Sequence, residues 1–79
     1  MVNWRAHISI DPEVMVGKPC IAGTRVPVEH ILEKIAADIP IEDILDDYPR
    51  VTRDDVLAAV AYAAASMSAE EIIMTEPTP

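Results

Sequence analysis

The sequence is poor in aromatic residues, and this limits the hydrophobic core that it can form. Phenylalanine is absent, and one tryptophan and two tyrosines are the only aromatic residues among 79. The core must therefore come from Ile, Val, Leu, Met and Ala, which bury less area per side chain. At 51% hydrophobic residues the chain is still apolar enough to fold. So small a domain gains little net stability from burial alone, so we expect a homodimer.

Cysteine and long apolar runs are also scarce. The one cysteine, Cys20, excludes an internal disulfide. The sequence has no run of about 18 apolar residues that could span a membrane. It also has no basic segment followed by an apolar one, the pattern of a secretory signal peptide. We therefore expect a cytoplasmic protein that does not associate with a membrane.

Basic side chains are few, and the acidic ones are unevenly distributed. Six Lys and Arg residues stand against fourteen Asp and Glu residues, for a net charge of −8. Residues 1–25 are nearly neutral, whereas residues 29–55 and 56–79 are strongly acidic. Because nucleic-acid affinity comes mainly from counterion release against a basic surface, this balance disfavours a stand-alone DNA or RNA binder. A basic protein partner suits the chain better.

Residue patterns that support catalysis or metal binding are lacking as well. His7, Cys20 and His30 are too far apart in sequence for a typical zinc site. The pairs Asp46-Asp47 and Asp54-Asp55 are candidates for a divalent cation, but solvated acids are common at helix ends such as these. No nucleophile has a histidine and an acid in a recognisable arrangement. We expect no enzyme activity, no metal and no cofactor.

The first 27 residues favour extended structure. Residues 7–10 form a short strand-like run, and the glycines and prolines at 17, 19, 23 and 27 are too closely spaced for a helix. Residues 20–26 are predicted to turn at Ala22-Gly23-Thr24, with Pro27 at a strand end. We predict that the 7–10 and 20–26 segments pair across the subunits of a dimer.

Helical periodicity dominates the rest of the chain. An apolar stripe from Val28 to Ile39 predicts a first helix that stops before Pro40, and a shorter stripe from Ile41 to Tyr48 predicts a second. Thr52 and Asp55 have the spacing of a capping box and open the third, longest helix. The predicted fold is mainly α, a trihelical helix-turn-helix core with a short N-terminal β segment (1–27) in a single domain of residues 1–66. A short acidic and apolar tail, 67–79, follows, with a second capping signal from Ser68 to Glu71.

Several motifs together resemble a known bacterial family. They are Ile10-Asp11-Pro12, the run Gly17-Lys18-Pro19-Cys20-Ile21-Ala22-Gly23-Thr24-Arg25-Val26-Pro27-Val28, the run Ile44-Leu45-Asp46-Asp47-Tyr48-Pro49, and Thr52-x-x-Asp55-Val56-x-x-Ala59-x-x-Tyr62-Ala63. In order and spacing they are similar to the domain of unknown function 433 family. The resemblance implies a homeodomain-like trihelical core, a dimer, and an antitoxin of a type II toxin–antitoxin pair of the Vap kind, encoded beside a PIN-like nuclease toxin.

Two residues depart from the family pattern. Asp38 stands where members commonly have a glycine that ends the first helix, and Pro40 stands where a Ser or Thr usually caps the second. We therefore expect a reshaped turn between these helices.

The glycine-rich motif supplies the candidate binding residues. Gly17 and Gly23 allow unusual backbone angles, Pro19 stiffens the chain, and Thr24 can bond to nearby backbone, so much of the motif is architectural. Arg25 is the candidate for a bidentate contact with a carboxylate of its own chain, of a dimer mate or of a toxin. The predicted partner-binding set is Gly17, Lys18, Pro19, Gly23, Thr24 and Arg25.

Two further surfaces remain as hypotheses. The tail has an apolar group flanked by acids, which suits either mimicry of RNA toward a basic toxin or packing on the chain's own helices or on a dimer mate: Glu70, Glu71, Ile72, Ile73 and Met74. Arg50, Thr52 and Arg53 at the start of the third helix are weak candidates for contacts with operator DNA, bound together with the toxin. The alternative function is a stand-alone helix-turn-helix regulator, against which the neighbouring Asp54 and Asp55 speak.

Overall fold

In the computed structural model the chain folds as three helices behind a small two-stranded sheet. The structure describes the backbone of residues 2–74 and the side chains of residues 2–68. Strands β1 (Ile8–Ser9) and β2 (Cys20–Ile21) precede helices α1 (Val28–Ala36), α2 (Ile41–Asp47) and α3 (Arg53–Met74). The predicted mainly α, trihelical architecture with an N-terminal β segment is confirmed.

The two strands pair with each other inside one chain. They are antiparallel, with Ile8 opposite Ile21 and Ser9 opposite Cys20. The amide of Ala22 also donates to the carbonyl of His7 at 2.8 Å. The prediction that these segments pair across subunits is therefore wrong, because the turns between residues 11 and 17 return the chain to its own first strand.

The loop after β2 closes as predicted. Gly23 has φ +79°, a left-handed conformation that a side chain would disfavour. The amide of Ile21 donates to the carbonyl of Val26 at 2.9 Å, and Cys20 bridges to Pro27. Pro27 then lies at the N-cap of α1, where its missing N–H costs no helical hydrogen bond.

Helix α1 ends three residues earlier than the apolar stripe predicts. Asp38 adopts φ +63°, and the amide of Ile39 donates to the carbonyl of Lys34 at 3.0 Å while that of Asp38 donates to Ile35 at 3.0 Å. This is the Schellman arrangement, which normally places glycine at the left-handed position. The turn therefore has the regular Schellman backbone, with an aspartate at the left-handed position. Pro40 lies at the N-cap of α2 and makes no side-chain cap.

Helix α3 begins with the predicted capping box and runs without a break. The Thr52 amide donates to Asp55 Oδ2 at 2.9 Å, and the Asp55 amide donates to Thr52 Oγ1 at 3.2 Å. The second capping signal, Ser68 to Glu71, does not start a new helix, because α3 continues to Met74. The tail predicted to start at residue 67 thus begins inside this helix.

The core lies where β2 and the three helices meet. The N-terminal turn at Trp4–Ala6 covers α3, and the Trp4 ring meets the Tyr62 ring edge to face at 5.2 Å between centroids. No described helix is both long and apolar enough to cross a membrane. The buried cluster consists of aliphatic residues, as the composition predicts: Ile21, Val28, Ile31, Ile44, Val51, Val56 and Ala59.

Candidate functional site: an arginine cleft beside the Gly-Thr-Arg turn

The Gly-Thr-Arg part of the motif forms a turn that Thr24 holds together. The Thr24 hydroxyl donates to the carbonyl of Ile21 at 2.8 Å and accepts from the amide of Val26 at 3.0 Å. The Thr24 amide also donates to the Ile21 carbonyl at 3.0 Å. These bonds fix the backbone on both sides of Arg25, so the architectural role predicted for Thr24 is borne out.

The Gly-Lys-Pro part of the motif connects the sheet to helix α1. Lys18 Nζ lies 2.6 Å from Glu29 Oε1, and this hydrogen bond raises the pKa of Lys18 and lowers that of Glu29. Both side chains are exposed, so the pair adds little stability. Cys20 is buried at 1% exposure, and burial raises the pKa of its thiol. This half of the motif is therefore a structural joint and leaves Lys18 paired.

The backbone before the motif is strained. Met15, Val16 and Gly17 have φ values of +50°, +56° and +78° in succession. The sequence suggests a left-handed residue only at Gly17, and a β-branched residue such as Val16 rarely adopts this conformation. Val16 is 93% exposed. This turn places Val14 at the edge of the cleft described next.

Arg25 and Arg50 line one cleft between the Gly-Thr-Arg turn and the α2–α3 loop. The cleft has a volume of about 500 Å³ and continues into a second hollow of about 320 Å³ that both arginines also line. The first hollow is also lined by Ser9, Asp11 and Gly23. The second is also lined by Tyr48 and Pro49. We call this the arginine cleft. The tertiary structure thus joins two residues that the sequence analysis assigned to different roles, Arg25 to a protein and Arg50 to DNA.

The carboxylates at the arginine cleft have other partners. Asp11 Oδ1 accepts the amide of Glu13 at 2.9 Å, and Asp47 Oδ2 accepts from Lys34 Nζ at 3.1 Å. Within residues 2–68, neither Arg25 nor Arg50 makes an ion pair, and both are exposed. Two guanidinium groups are therefore available here for an anionic ligand.

At the start of α3, where the sequence predicts weak DNA contacts, one of the two neighbouring acids is engaged within the fold. Asp55 is not a solvated acid, because His7 Nδ1 lies 2.8 Å from its Oδ1 and its side chain is only 14% exposed. Burial raises the pKa of Asp55, but the hydrogen bonds from Thr52 and His7 outweigh it, and the pKa lies below its usual value. Arg53 and Asp54 are exposed. The role of His7 could not be predicted from the sequence, since nothing in a short strand-like run indicates contact with a residue 48 positions away.

For the tail residues beyond Ser68, the structure describes at most the backbone. Glu70, Glu71, Ile72, Ile73 and Met74 belong to α3 by their backbone, but their side chains lie outside the described residues. Thr75 to Pro79 lie outside them altogether. Among the side chains that are described, no three of His, Cys, Asp or Glu come close enough together to hold a metal ion.

The comparison with protein families decides the relationship. The model of the family described as protein of unknown function (DUF433) matches residues 8–63, which include both strands, α1, α2 and the first half of α3. The chain belongs to the DUF433 family. The resemblance inferred from the Gly-Lys-Pro and Gly-Thr-Arg motifs is thus confirmed, and the arginine cleft lies within the matched region.

Two similar proteins show the extent of the similarity. The crystal structure of a DUF433 member protein from Anabaena variabilis ATCC 29413 superposes with a TM-score of 0.73 at 27% identity, covering 89% of this chain and 69% of that one. The uncharacterized protein y4eO of Sinorhizobium fredii (strain NBRC 101917 / NGR234) is 31% identical over 62 residues, 78% of this chain. The match spans only 28% of that relative's length.

Proposed function

We propose that this DUF433 protein is an antitoxin that binds and neutralises a PIN-like nuclease toxin through the arginine cleft. The observation that carries the proposal is the convergence of Arg25 and Arg50 on one cleft, with the nearby Asp11 and Asp47 bound elsewhere. A turn held by Thr24 presents Arg25 with little freedom of its backbone. Such a preorganised cation loses less entropy when it binds.

The chemistry of arginine suits this partner. A guanidinium makes two parallel hydrogen bonds to a carboxylate, and it keeps its charge when it is desolvated. A nuclease that binds divalent metal ions presents clustered carboxylates at its active site. Arg25 and Arg50 entering that cluster would displace the metal ions and stop RNA cleavage. The acidic residues at 70, 71 and 76 offer a second contact, toward the basic side chains with which a nuclease holds RNA.

The test is neutralisation of the protein encoded next to this chain. That neighbour is expected to arrest growth when it is expressed alone and to be harmless when the two are expressed together. Arg25→Ala and Arg50→Ala are each expected to raise the Kd of the complex by about 30-fold or more, about 2 kcal/mol, measured by calorimetry. Arg25→Lys keeps the charge but not the bidentate geometry, and it is expected to recover only part of the affinity.

Arg5→Ala is the matched control. It removes the same charge, but Arg5 lies over the Trp4 ring at 4.5 Å, away from the arginine cleft. We expect Arg5→Ala to neutralise the toxin normally. A neighbour that is harmless by itself contradicts the antitoxin function, and equal losses in the Arg5 and Arg25 variants contradict the role of the cleft.

A stand-alone helix-turn-helix regulator is the second candidate. The observation in its favour is that Asp55 is engaged by His7, which leaves Arg50 and Arg53 exposed around the start of α3 with fewer acids than the sequence suggests. Asp54 is still exposed there, and the chain carries a net charge of −8. These charges favour the antitoxin, which would join in repressing its operon only together with the toxin.

A further inference from the structure

Helix α3 has an apolar side that the described residues of its own chain leave partly exposed. Residues 56–65 are apolar or tyrosine without interruption, and one side of this run packs on the core through Val56 and Ala59. On the adjoining side, which turns away from Ala59, Leu57, Val60 and Met67 are 42%, 43% and 59% exposed. A helix that is apolar around its whole circumference is normally buried on all sides.

The exposed residues follow the spacing of helix-pairing seams. Leu57, Val60, Ala64 and Met67 are separated by three, four and three residues, the a and d positions of a heptad pattern. We call these four residues the α3 seam. A groove of about 330 Å³ runs along it, lined by Val2, Leu57, Val60, Ala61 and Ala64. The small side chains of Ala61 and Ala64 allow the backbone of a second helix to come close.

We propose that the α3 seam binds the α3 seam of a second copy of this chain, with the two helices antiparallel. In the register that sets Leu57 opposite Met67, Val60 lies opposite Ala64, so the large pairs stand at the two ends of the seam and the smaller pairs at its centre. By the two-fold symmetry of such a dimer, Met67 of each copy enters the groove beside Leu57 of the other.

The charges at the two ends of the α3 seam favour a second copy of the chain as its partner, with the two α3 helices antiparallel. The heptad spacing continues from the seam to Arg53 at one end and to Glu71 at the other. The same antiparallel register places Arg53 of each copy beside the helical turn of its mate that carries Glu71. A parallel pair would instead set Arg53 against Arg53 and Glu71 against Glu71, which like-charge repulsion disfavours.

The test is the oligomeric state of the full chain and of two matched variants. Light scattering and sedimentation at tens of micromolar are expected to show a dimer. Ala64→Glu places a carboxylate in the seam and is expected to weaken dimerisation by about 100-fold or more. Ala65→Glu makes the same substitution at the next exposed position, which does not line the groove, and is expected to change the Kd by less than about threefold. Circular dichroism of both variants checks that the helices still form.

A charge exchange tests the direction. Arg53→Glu is expected to weaken the dimer, and the double variant Arg53→Glu/Glu71→Arg to restore it, which happens only if these positions face each other. A monomeric native protein overturns the proposal, as does a dimer that Ala64→Glu and Ala65→Glu affect equally. None of these measurements involves the arginine cleft, so the dimer proposal stands or fails independently of the antitoxin function.

Discussion

Asp55 shows how one side chain can serve two purposes in a small protein. Its carboxylate caps helix α3 through the Thr52 amide, and it also ties the N-terminal segment to that helix through His7. The hydrogen bonds that Asp55 receives keep the pKa of its carboxyl below the usual value, although burial raises it. The ionised carboxylate is favoured by both contacts, so its protonation at low pH weakens the hold of the helix on the N-terminal segment.

Replacing Asp55 with asparagine should therefore reduce stability in a pH-dependent way. Because the pKa is lower in the folded state, the stabilising contribution is complete above the unfolded pKa of about 4 and is lost as the pH falls through the folded pKa. We expect Asp55→Asn to lower the free energy of unfolding by about 1 to 2 kcal/mol at pH 7. Urea titrations should show this difference at pH 7 and a smaller one below about pH 4.

Asp54→Asn is the control for this prediction. It removes the same charge from the same helical turn, but Asp54 is exposed, so its effect should stay within about 0.5 kcal/mol. Equal effects of the two variants would assign the loss to the helix dipole rather than to the capping box and His7.

At the scale of the elements, the joint between α1 and α2 carries a backbone strain that the sequence could have avoided. Asp38 is left-handed at φ +63°, in a Schellman turn whose other features are regular. Its carboxylate also lies at the C-terminal end of α1, where the helix dipole disfavours negative charge. Glycine would relieve both costs.

We expect Asp38→Gly to raise the free energy of unfolding by about 0.5 to 1 kcal/mol, because a left-handed L-residue costs more than the added freedom of glycine in the unfolded chain. Thermal unfolding at fixed protein concentration measures the change. Asp38→Ala removes the charge and keeps the left-handed side chain, so it separates the two causes. A glycine variant no more stable than the alanine variant would refute the strain argument.

At the scale of the whole molecule, charge governs which partners the protein can bind. A net charge of −8 opposes binding to the DNA backbone, whereas Arg25 and Arg50 lie together at one cleft. Such a distribution favours a protein ligand with clustered acids over a long polyanion.

The isolated protein should accordingly bind DNA weakly. With a fragment of its own promoter at physiological salt, fluorescence anisotropy is expected to give a Kd weaker than about 1 μM, in the range of non-specific binding. Addition of the toxin that we propose as its partner should strengthen the binding by supplying positive charge or a second half-site. Tight binding by the protein alone, with a steep salt dependence that Arg50→Ala and Arg53→Ala abolish, would favour the regulator instead.

Local signals in the sequence determined the secondary structure and the family. The apolar stripes placed all three helices, Thr52 and Asp55 predicted the start of α3, and Gly23 predicted the left-handed turn, because each of these features depends on residues within a few positions of one another. The end of α1 was misplaced, because periodicity describes the face of a helix and not the turn at Asp38 that stops it.

Only the tertiary structure decided which distant residues share a site. The arginine cleft is formed by Arg25 and Arg50, which are distant in the sequence. The contact between the N-terminal segment and α3 is formed by His7 and Asp55, 48 positions apart. It also decided that β1 pairs within its own chain, and which apolar side of α3 remains exposed. Periodicity cannot separate two apolar sides of one helix when both are equally apolar. Burial separates them, and burial is set by the packing of the other elements against α3.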